Sequence, residues 1–478
     1  MASIKTNVLL NYINTITGII FPVITFPYAS RILLPDGIGV VNFLNSIINY
    51  IVLFTSLGIP LYAVKEIARH RDDIHLRNKT TVEIGLLGMI LCAFGYVAVF
   101  LLSVLVPRIS ANRELFYILS SAIFFSSIGA NWFYQAIEDF KFITLRTVIF
   151  RTLSTICLFV FVKDKGDLLI YATVNVMMSV GSNCINFVHL RKYISLSTLK
   201  GVKLELFKHL KPALHIFVLN LIISIYVQLN SVMLGFIDSD YAVGIYTAGH
   251  KIPHMFLSVV TSMGAVLLPR CSNLVAKGDM SEFANVITKS IRLVLFLALP
   301  ISLGLILLAE PVITIFCGAS FAESVNVLYW TCPIIVFIGL TNVIGIQMLY
   351  PLGKENIVIY STLGGAIVNA TLNFMLIPHL SAVGAGIATF AAELTVLIIQ
   401  WCLCHKYIDF KLLDKRSLNY VIAALLMVAI VLPIVTLLDG LWLKTVLAVI
   451  TGALTYITYL FVRKDEMLLN IMDYLLRR

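Results

Sequence analysis

With 478 residues, 59% of them hydrophobic and only 13% charged, and a mean hydropathy of +0.95, the chain lies far outside the composition of soluble domains. That excludes a soluble enzyme and leaves channels, transporters and enzymes that work within the bilayer. The formal net charge of +10, in so apolar a chain, speaks for membrane topology and interfacial anchoring rather than for nucleic acid.

Fourteen apolar stretches of about 20 residues, each long enough to cross the hydrocarbon as a helix, are predicted near 8–28, 39–63, 82–106, 115–137, 146–162, 168–190, 212–236, 244–268, 290–309, 325–348, 357–377, 384–404, 418–437 and 443–462. The first is span-length and lacks a small-residue cleavage pattern, so it reads as a span rather than a signal peptide. The span at 146–162 is short and opens with Arg146 and Arg151. The last two form a tight hairpin around Asp439.

Basic residues fix the orientation. With the N-terminus inside, the inner loops and tail hold about 27 Lys and Arg and the outer loops about 6, a strong positive-inside bias. An even number of spans with both termini cytoplasmic follows. The eight cysteines fall mostly within spans, and Cys402-x-Cys404 has no partner pair, so neither a disulfide framework nor a zinc site is indicated.

The chain matches itself at an offset of about 205 residues. Asp36-Gly37-Ile38-Gly39-Val40-Val41-Asn42 opens span 2 and Tyr241-Ala242-Val243-Gly244-Ile245-Tyr246-Thr247 opens span 8, so Gly39 falls on Gly244. Six spans separate the copies, which predicts two bundles in the same orientation. The expected fold is an all-α integral membrane protein: 14 transmembrane helices, two six-helix bundles related by a pseudo-twofold axis along the membrane normal, and two extra C-terminal helices. The expected domains are a first lobe at 1–190, a basic cytoplasmic linker with an amphipathic helix at 191–211, a second lobe at 212–404, helices 13 and 14 at 405–462 and an amphipathic tail at 463–478. Leu204, Phe207 and Leu210 among Lys203, Lys208 and Lys211 mark the linker helix, which should end at Pro212.

Polar stripes run along the equivalent spans. Asn7, Asn11, Asn14 and Gly18 share one face of span 1; Asn42, Ser46, Asn49 and Ser56 share one of span 2. Span 7 has Asn220, Ser224, Gln228 and Ser231, and span 8 has Thr247, Lys251, His254, Ser258 and Thr261. One such amide is ordinary interhelical glue. Four stripes on matched helices point to a hydrated cleft, because amides and hydroxyls in lipid are costly unless they meet water or each other.

Ionisable residues inside the slab are functional candidates. Lys251 has its Cα on the order of 10 Å below the outer boundary, where an ammonium would attract an anion strongly as the effective dielectric falls. Arg31 closes span 1 and Arg151 lies about one turn inside span 5, each with an interfacial anchoring role as the alternative. Glu393 is the acid well inside a span, a packing carboxyl or a carrier of a coupling proton. Asp238 and Asp240 are expected to be solvated in an outer loop. Nothing resembles a nucleophile with its base, a metal cluster or a phosphate-cradling glycine loop.

Several segments resemble bacterial polysaccharide flippases of the O-antigen (Wzx) type, within the multidrug/oligosaccharidyl-lipid/polysaccharide exporter superfamily. These are Asn7-x-x-x-Asn11-Tyr12, Thr25-Phe26-Pro27-Tyr28-Ala29-Ser30-Arg31-Ile32-Leu33 and Gly37-x-Gly39, then Leu57-Gly58-Ile59-Pro60-Leu61-Tyr62-Ala63-Val64-Lys65-Glu66-Ile67-Ala68. His209-Leu210-Lys211-Pro212, Leu267-Leu268-Pro269-Arg270 and Ala382-Val383-Gly384-Ala385-Gly386-Ile387-Ala388-Thr389 continue it. Leu34-Pro35-Asp36 departs from the family's usual Gly-Pro-Glu, at an outer turn.

The resemblance implies a transporter, not an enzyme, in the bacterial cytoplasmic membrane. Its cargo would be a polyprenyl-diphosphate-linked oligosaccharide unit carried from the inner to the outer leaflet by alternating access, for O-antigen, capsule or another surface polysaccharide. Arg31 and Lys251 are then expected at the diphosphate, with Asn11, Asn14, Asn42, Asn49, Asn220, Gln228, Arg151 and His254 lining the cavity and Glu393 serving coupling. No cofactor is expected, and coupling to protons or sodium is open. Partners would be the lipid-linked substrate, membrane lipid and polysaccharide polymerase machinery, for a monomer that binds no nucleic acid. The rival readings are a multidrug exporter or lipid II flippase of the same superfamily, or a membrane polymerase.

Overall fold

Backbone amides in hydrocarbon must be satisfied within their own segment, so apolar sequence of this length is driven into helix. The computed structural model describes residues 4–194, 203–404, 406–407 and 414–476, and among them it is helical with no strand. It divides into two compact units, Met1–Gly244 and Ile245–Arg478.

The first unit holds α1 (Ile4–Ser56), α2 (Ile59–Arg69), α3 (Ile74–Leu105), α4 (Arg113–Ile128), α5 (Phe140–Phe161), α6 (Leu168–Val176), α7 (Asn183–Leu190) and α8 (Leu210–Ile237). A π-helical turn, Met177–Gly181, joins α6 to the approach of α7. Helices α4, α5 and α8 pack along α1, so the segment expected as span 7 groups with the first unit. Helix α9 (Asp240–Lys277) starts there and continues into the second unit. The second unit adds α10 (Met280–Leu307), α11 (Ser324–Thr331), α12 (Glu355–Cys404), α13 (Lys415–Leu437), α14 (Leu441–Val462) and α15 (Glu466–Leu476).

Among the described residues nine helices are long and apolar enough to cross a membrane, or eleven if two bent pairs each count as one span. The chain is a multi-pass membrane protein, though this count stays below the expected fourteen. Double-length helices account for part of the difference. Helices α1 and α12 have 53 and 50 residues, about 75–80 Å at 1.5 Å per residue, more than twice the hydrocarbon thickness.

Each is broken by a single residue with left-handed φ, Leu34 (φ 59°, ψ 175°) and Ser381 (φ 52°, ψ −133°). Leu34 precedes Pro35, whose ring disfavours helical geometry in the residue before it. In α12 the two halves run antiparallel: Gln400 Nε2 donates to Ser361 Oγ at 3.1 Å, and Gly384 lies against the backbone of Leu376. The chain therefore reverses within what reads locally as one helix, where the sequence suggests a loop.

Two close approaches need glycine. Gly58 turns the chain from α1 into α2 with φ 72°, and a Cβ there would lie 2.5 Å from the Ala213 carbonyl oxygen. Gly39 and Gly244 meet at a crossing of bare backbone. A Cβ on Gly39 would fall 1.6 Å from the Asp240 carbonyl, and one on Gly244 would fall 2.0 Å from that of Pro35. The two positions matched by the internal offset thus touch.

The linker differs from expectation. Instead of a surface helix ending at Pro212, a 3-10 turn at Leu206–His209 runs directly into α8. Pro212 sits in the first turn of α8, where its missing N–H leaves no hydrogen bond unmade. Residues 195–202 of the linker lie outside the described residues. Asp240 is also not merely solvated, because Arg108 Nη2 reaches its carboxylate at 3.1 Å. The tail forms the expected helix, α15, opened by Asp465, whose Oδ1 accepts the N–H groups of Met467 and Leu468, both at 3.1 Å.

Candidate functional site

Helix α5 starts earlier than the apolar run suggests. The Asp139 carboxylate caps it by accepting the Phe142 N–H at 3.2 Å, which puts Arg146 nearly two turns inside. Arg146 is 4% exposed. It donates to Ser182 Oγ at 2.6 Å, to Asn183 Oδ1 at 3.4 Å and to Asn131 Oδ1. Asn186 Nδ2 donates to the same Asn131 oxygen at 2.9 Å. No carboxylate stands within ion-pair distance of Arg146 among the described residues, and its Nε has no partner. Sequence reasoning named this residue only as opening a short span and did not single it out as a site residue.

Arg151, on the next turns of α5, is half-buried. It donates to the Asn14 carbonyl at 2.9 Å, to Asn14 Oδ1 at 3.4 Å and to Thr17 Oγ1 at 2.8 Å. Its guanidinium lies over Gly18, 3.5 Å from where a Cβ would stand. Two of the expected site residues, Arg151 and Asn14, are therefore brought together. Asn42 spends its amide on its own helix, donating to the Ile38 carbonyl at 2.7 Å, the local bonding typical of Asn. Asn49 and Gln228 are half-buried on α1 and α8, and Arg31 is exposed on α1, one turn before Leu34. The side chains of Asn11 and Asn220 lie outside the described residues.

In the second unit, α9 carries half-buried Lys251 and His254. The His254 ring lies 4.2 Å from that of His250, which stacks on Tyr246 at 5.1 Å. Tyr246 Oη and Thr389 Oγ1 are hydrogen-bonded at 3.2 Å. The helices here run parallel. Ser324 Oγ donates to the Ile245 carbonyl at 2.8 Å and Thr331 Oγ1 to that of Gly249 at 2.9 Å, aligning α11 with α9. Gly386 faces Val327 and Gly345 faces Gln400, aligning the second half of α12 with the same direction. His250 and buried Glu393 therefore each lie about one turn, roughly 6 Å, beyond the Tyr246–Thr389 bond along their own helices.

A second acid, which sequence reasoning did not single out, lies in α3. Glu83 is 0% exposed and accepts from the Glu205 N–H at 2.8 Å, from His209 Nε2 at 2.9 Å and from Lys208 Nζ at 2.9 Å. Lys79 Nζ is 3.8 Å away. Because the carboxylate can only accept, His209 Nε2 carries the proton, leaving Nδ1 to accept the Tyr62 hydroxyl at 2.7 Å when the ring is neutral. Its sequence signal is weak, since every partner but Lys79 is more than a hundred residues away.

Also in the second unit, α10, α13 and α14 enclose a groove of about 440 Å³ with walls such as Pro300, Gly304, Met427, Val431, Ala448 and Gly452. A linear hydrocarbon chain fits such walls, which offer almost no hydrogen bonds.

An all-helical chain with repeated apolar crossings, and with cations set against amides inside the helices, is built as a membrane transporter is built. The chain belongs to the polysaccharide biosynthesis protein family, which it matches over residues 4–275, and it also matches MatE over residues 216–375. A protein of Escherichia coli K12 assigned as an O-antigen transporter is 24% identical over 399 residues, spanning 82% of this chain and 95% of its own. A protein of Shigella dysenteriae with the same assignment is 26% identical over 407 residues, or 83% and 98%. Lipid II flippase MurJ of Bacillus subtilis is 25% identical over 223 residues, 44% of this chain and 41% of that one.

Among solved structures, lipid II flippase MurJ in an inward closed conformation superposes with a TM-score of 0.70 at 15% identity, over 97% of this chain and 100% of that one. An inward-facing multidrug resistance MATE family transporter of the MOP superfamily gives 0.66 at 14% identity, over 81% and 93%. At such identities the likeness concerns the fold, which agrees with the expected all-α superfamily architecture.

Proposed function

We propose that this protein is a flippase that carries a polyprenyl-diphosphate-linked oligosaccharide from the inner to the outer leaflet of the bacterial cytoplasmic membrane, both termini inside. One observation carries the reading beyond family membership: the ionisable groups within the helices are weighted to cations matched with neutral partners. Arg146 and Arg151 are bonded to amides, hydroxyls and a carbonyl. Of the two interior acids described above, Glu83 is already consumed by His209 and Lys208. An interior of this sign favours an anionic headgroup, because charge interactions strengthen as the effective dielectric falls. The groove between α10, α13 and α14 supplies a place for the first isoprenyl units.

Lys251 and Arg31 are assigned to the diphosphate, and Asn14, Asn49 and Gln228 to water or sugar hydroxyls. Glu393 is assigned to proton coupling, in company with the Tyr246–His250–His254 ladder. The test is reconstitution into vesicles with a lipid-linked oligosaccharide, reading leaflet exposure. Wild type should equilibrate the lipid and Lys251→Ala should fall at least about tenfold, the loss expected from removing one charge-assisted contact of 1.5–3 kcal/mol. Full transport by Lys251→Ala would remove Lys251 from the path. A multidrug exporter carrying organic cations is the alternative reading, and the chain also matches MatE over residues 216–375. Efflux of a cationic dye without glycolipid exposure would establish that alternative.

A further inference from the structure

The segment Leu57–Ala68 has no part in the path described so far, yet it builds a cavity. In α2, Tyr62, Lys65, Glu66 and Arg69 recur at i, i+3, i+4 and i+7, which puts them on one face. That face lines a cavity of about 800 Å³ closed on its other side by the start of α8, with Lys211 and Leu214. The volume lies within the range of small-molecule sites.

Three cations stand here against one carboxylate. Glu66 is already engaged by Arg69 at 3.4 Å and His70 at 3.7 Å. Lys65 and Lys211 have no carboxylate within ion-pair distance among the described residues. The floor cannot neutralise them either. It is Tyr62, tied through His209 to a Glu83 whose oxygens are occupied. The opposite wall is apolar and open, with Leu214 45% exposed.

From this combination we propose that the cavity is a receiving site for a lipid-borne phosphate. Lys65, Arg69 and Lys211 hold the phosphate oxygens while the first carbons of the lipid lie on Leu214. A soluble anion would leave the apolar wall wet, and a neutral lipid would leave the lysines unmatched. The excess of basic residues puts this end of the unit on the cytoplasmic side, where a lipid-linked precursor is presented. The site extends the flippase reading to the capture step and rests on it only for the identity of the lipid. Tyr62 gives the site a link to the buried His209–Glu83 pair, so an occupied pocket bears directly on the junction of α2, α3 and α8.

The test uses full-length protein in phosphatidylcholine nanodiscs with farnesyl diphosphate as probe. Lys65→Gln/Lys211→Gln should weaken binding about 25-fold, about fivefold for each lysine facing an anionic lipid headgroup. Leu214→Asn should weaken farnesyl diphosphate while leaving inorganic diphosphate unchanged. Equal affinity of the double variant and wild type, with unaltered melting, would overturn the site, as would inorganic diphosphate binding as tightly as the prenyl form.

Competition identifies the source. Displacement by phosphatidylglycerol supports the site as one for bulk anionic lipid, and resistance to it supports carrier lipid. Lys251→Gln separates this inference from the transport reading: it removes the path's own diphosphate contact and should impair flipping, and adding Lys65→Gln/Lys211→Gln in that background should still weaken probe binding. A wild type that binds the probe but never flips glycolipid would sink the flippase and leave the site standing.

Discussion

Replacing Glu83 tests whether its buried cluster holds the first unit together. In Glu83→Leu the donors Glu205 N–H, His209 Nε2 and Lys208 Nζ lose their acceptor. They do not suffer equally. The Lys208 side chain is 41% exposed and regains water, so its share is about 0–1 kcal/mol. His209 is 1% exposed, and an orphaned buried donor costs about 1–3 kcal/mol. The Glu205 N–H, part-buried, adds a similar or smaller amount. The sum, about 4 kcal/mol, agrees with the usual cost of removing one member of a buried charged pair, 3–5 kcal/mol. It corresponds to roughly a thousandfold shift in the folded population.

Glu83→Gln keeps one acceptor oxygen and should cost about 2 kcal/mol. The assay is equilibrium unfolding in mixed micelles, followed by circular dichroism. Adding His209→Phe to Glu83→Leu should cost less than the sum of the single changes, because the two side chains share one bond. A Glu83→Leu protein within about 1 kcal/mol of wild type, or strict additivity of the pair, would refute the reasoning.

Two further outcomes are expected. Gly39→Ala drives a methyl to 1.6 Å from the Asp240 carbonyl, so the crossing must open by more than an ångström, at a cost of about 3 kcal/mol; thermal melting of the purified protein reads it, and an unchanged melting temperature would count against the contact. Asp414 links acidification to stability in the second unit. Burial alone would raise its carboxyl, but the Ser417 N–H that it caps and the Arg292 guanidinium outweigh that and hold it below the usual carboxylate value. A folded value below the unfolded one adds stability that is complete above the unfolded value, about 3.9, and is lost as pH falls through the folded value. Melting should therefore drop on acidification below about pH 4, more shallowly in Arg292→Met, where the carboxyl has less to lose.

Much of this architecture is written locally. Apolar runs separated by short basic loops specify crossing helices, because hydrocarbon permits little else, whereas the nine to eleven spans counted among the described residues stay below the fourteen expected. The tail helix is equally legible, from Met467, Leu468 and Met472 on one face. The pairing of Arg151 with Asn14 was partly visible, since both residues stood out as polar groups in apolar surroundings. Other features depend on contacts across the sequence. The breaks at Leu34 and Ser381 fall between predicted spans, but that each rests on a single residue with positive φ inside an otherwise helical run is not announced.

Arg146 looks interfacial when the span is counted from its apolar residues. The signal that would have corrected this is Asp139, three residues ahead of Phe142, a capping position that starts the helix earlier. Glu83 has no local signal beyond being an acid near a span end, because Glu205, Lys208 and His209 arrive from the far side of four predicted spans. Sequence alone likewise ranks Lys208 as a surface cation, where the fold uses it as a partner.

The contact between Gly39 and Gly244 has a consequence for how the chain can change. Glycine is already the smallest residue, so a larger one at either position cannot be offset by shrinking the other. The usual route by which packed pairs drift, a large residue exchanged for a small one across the seam, is closed at both. The two positions answer to a single constraint, and whatever mutation explores elsewhere in these helices, this joint is fixed from both sides.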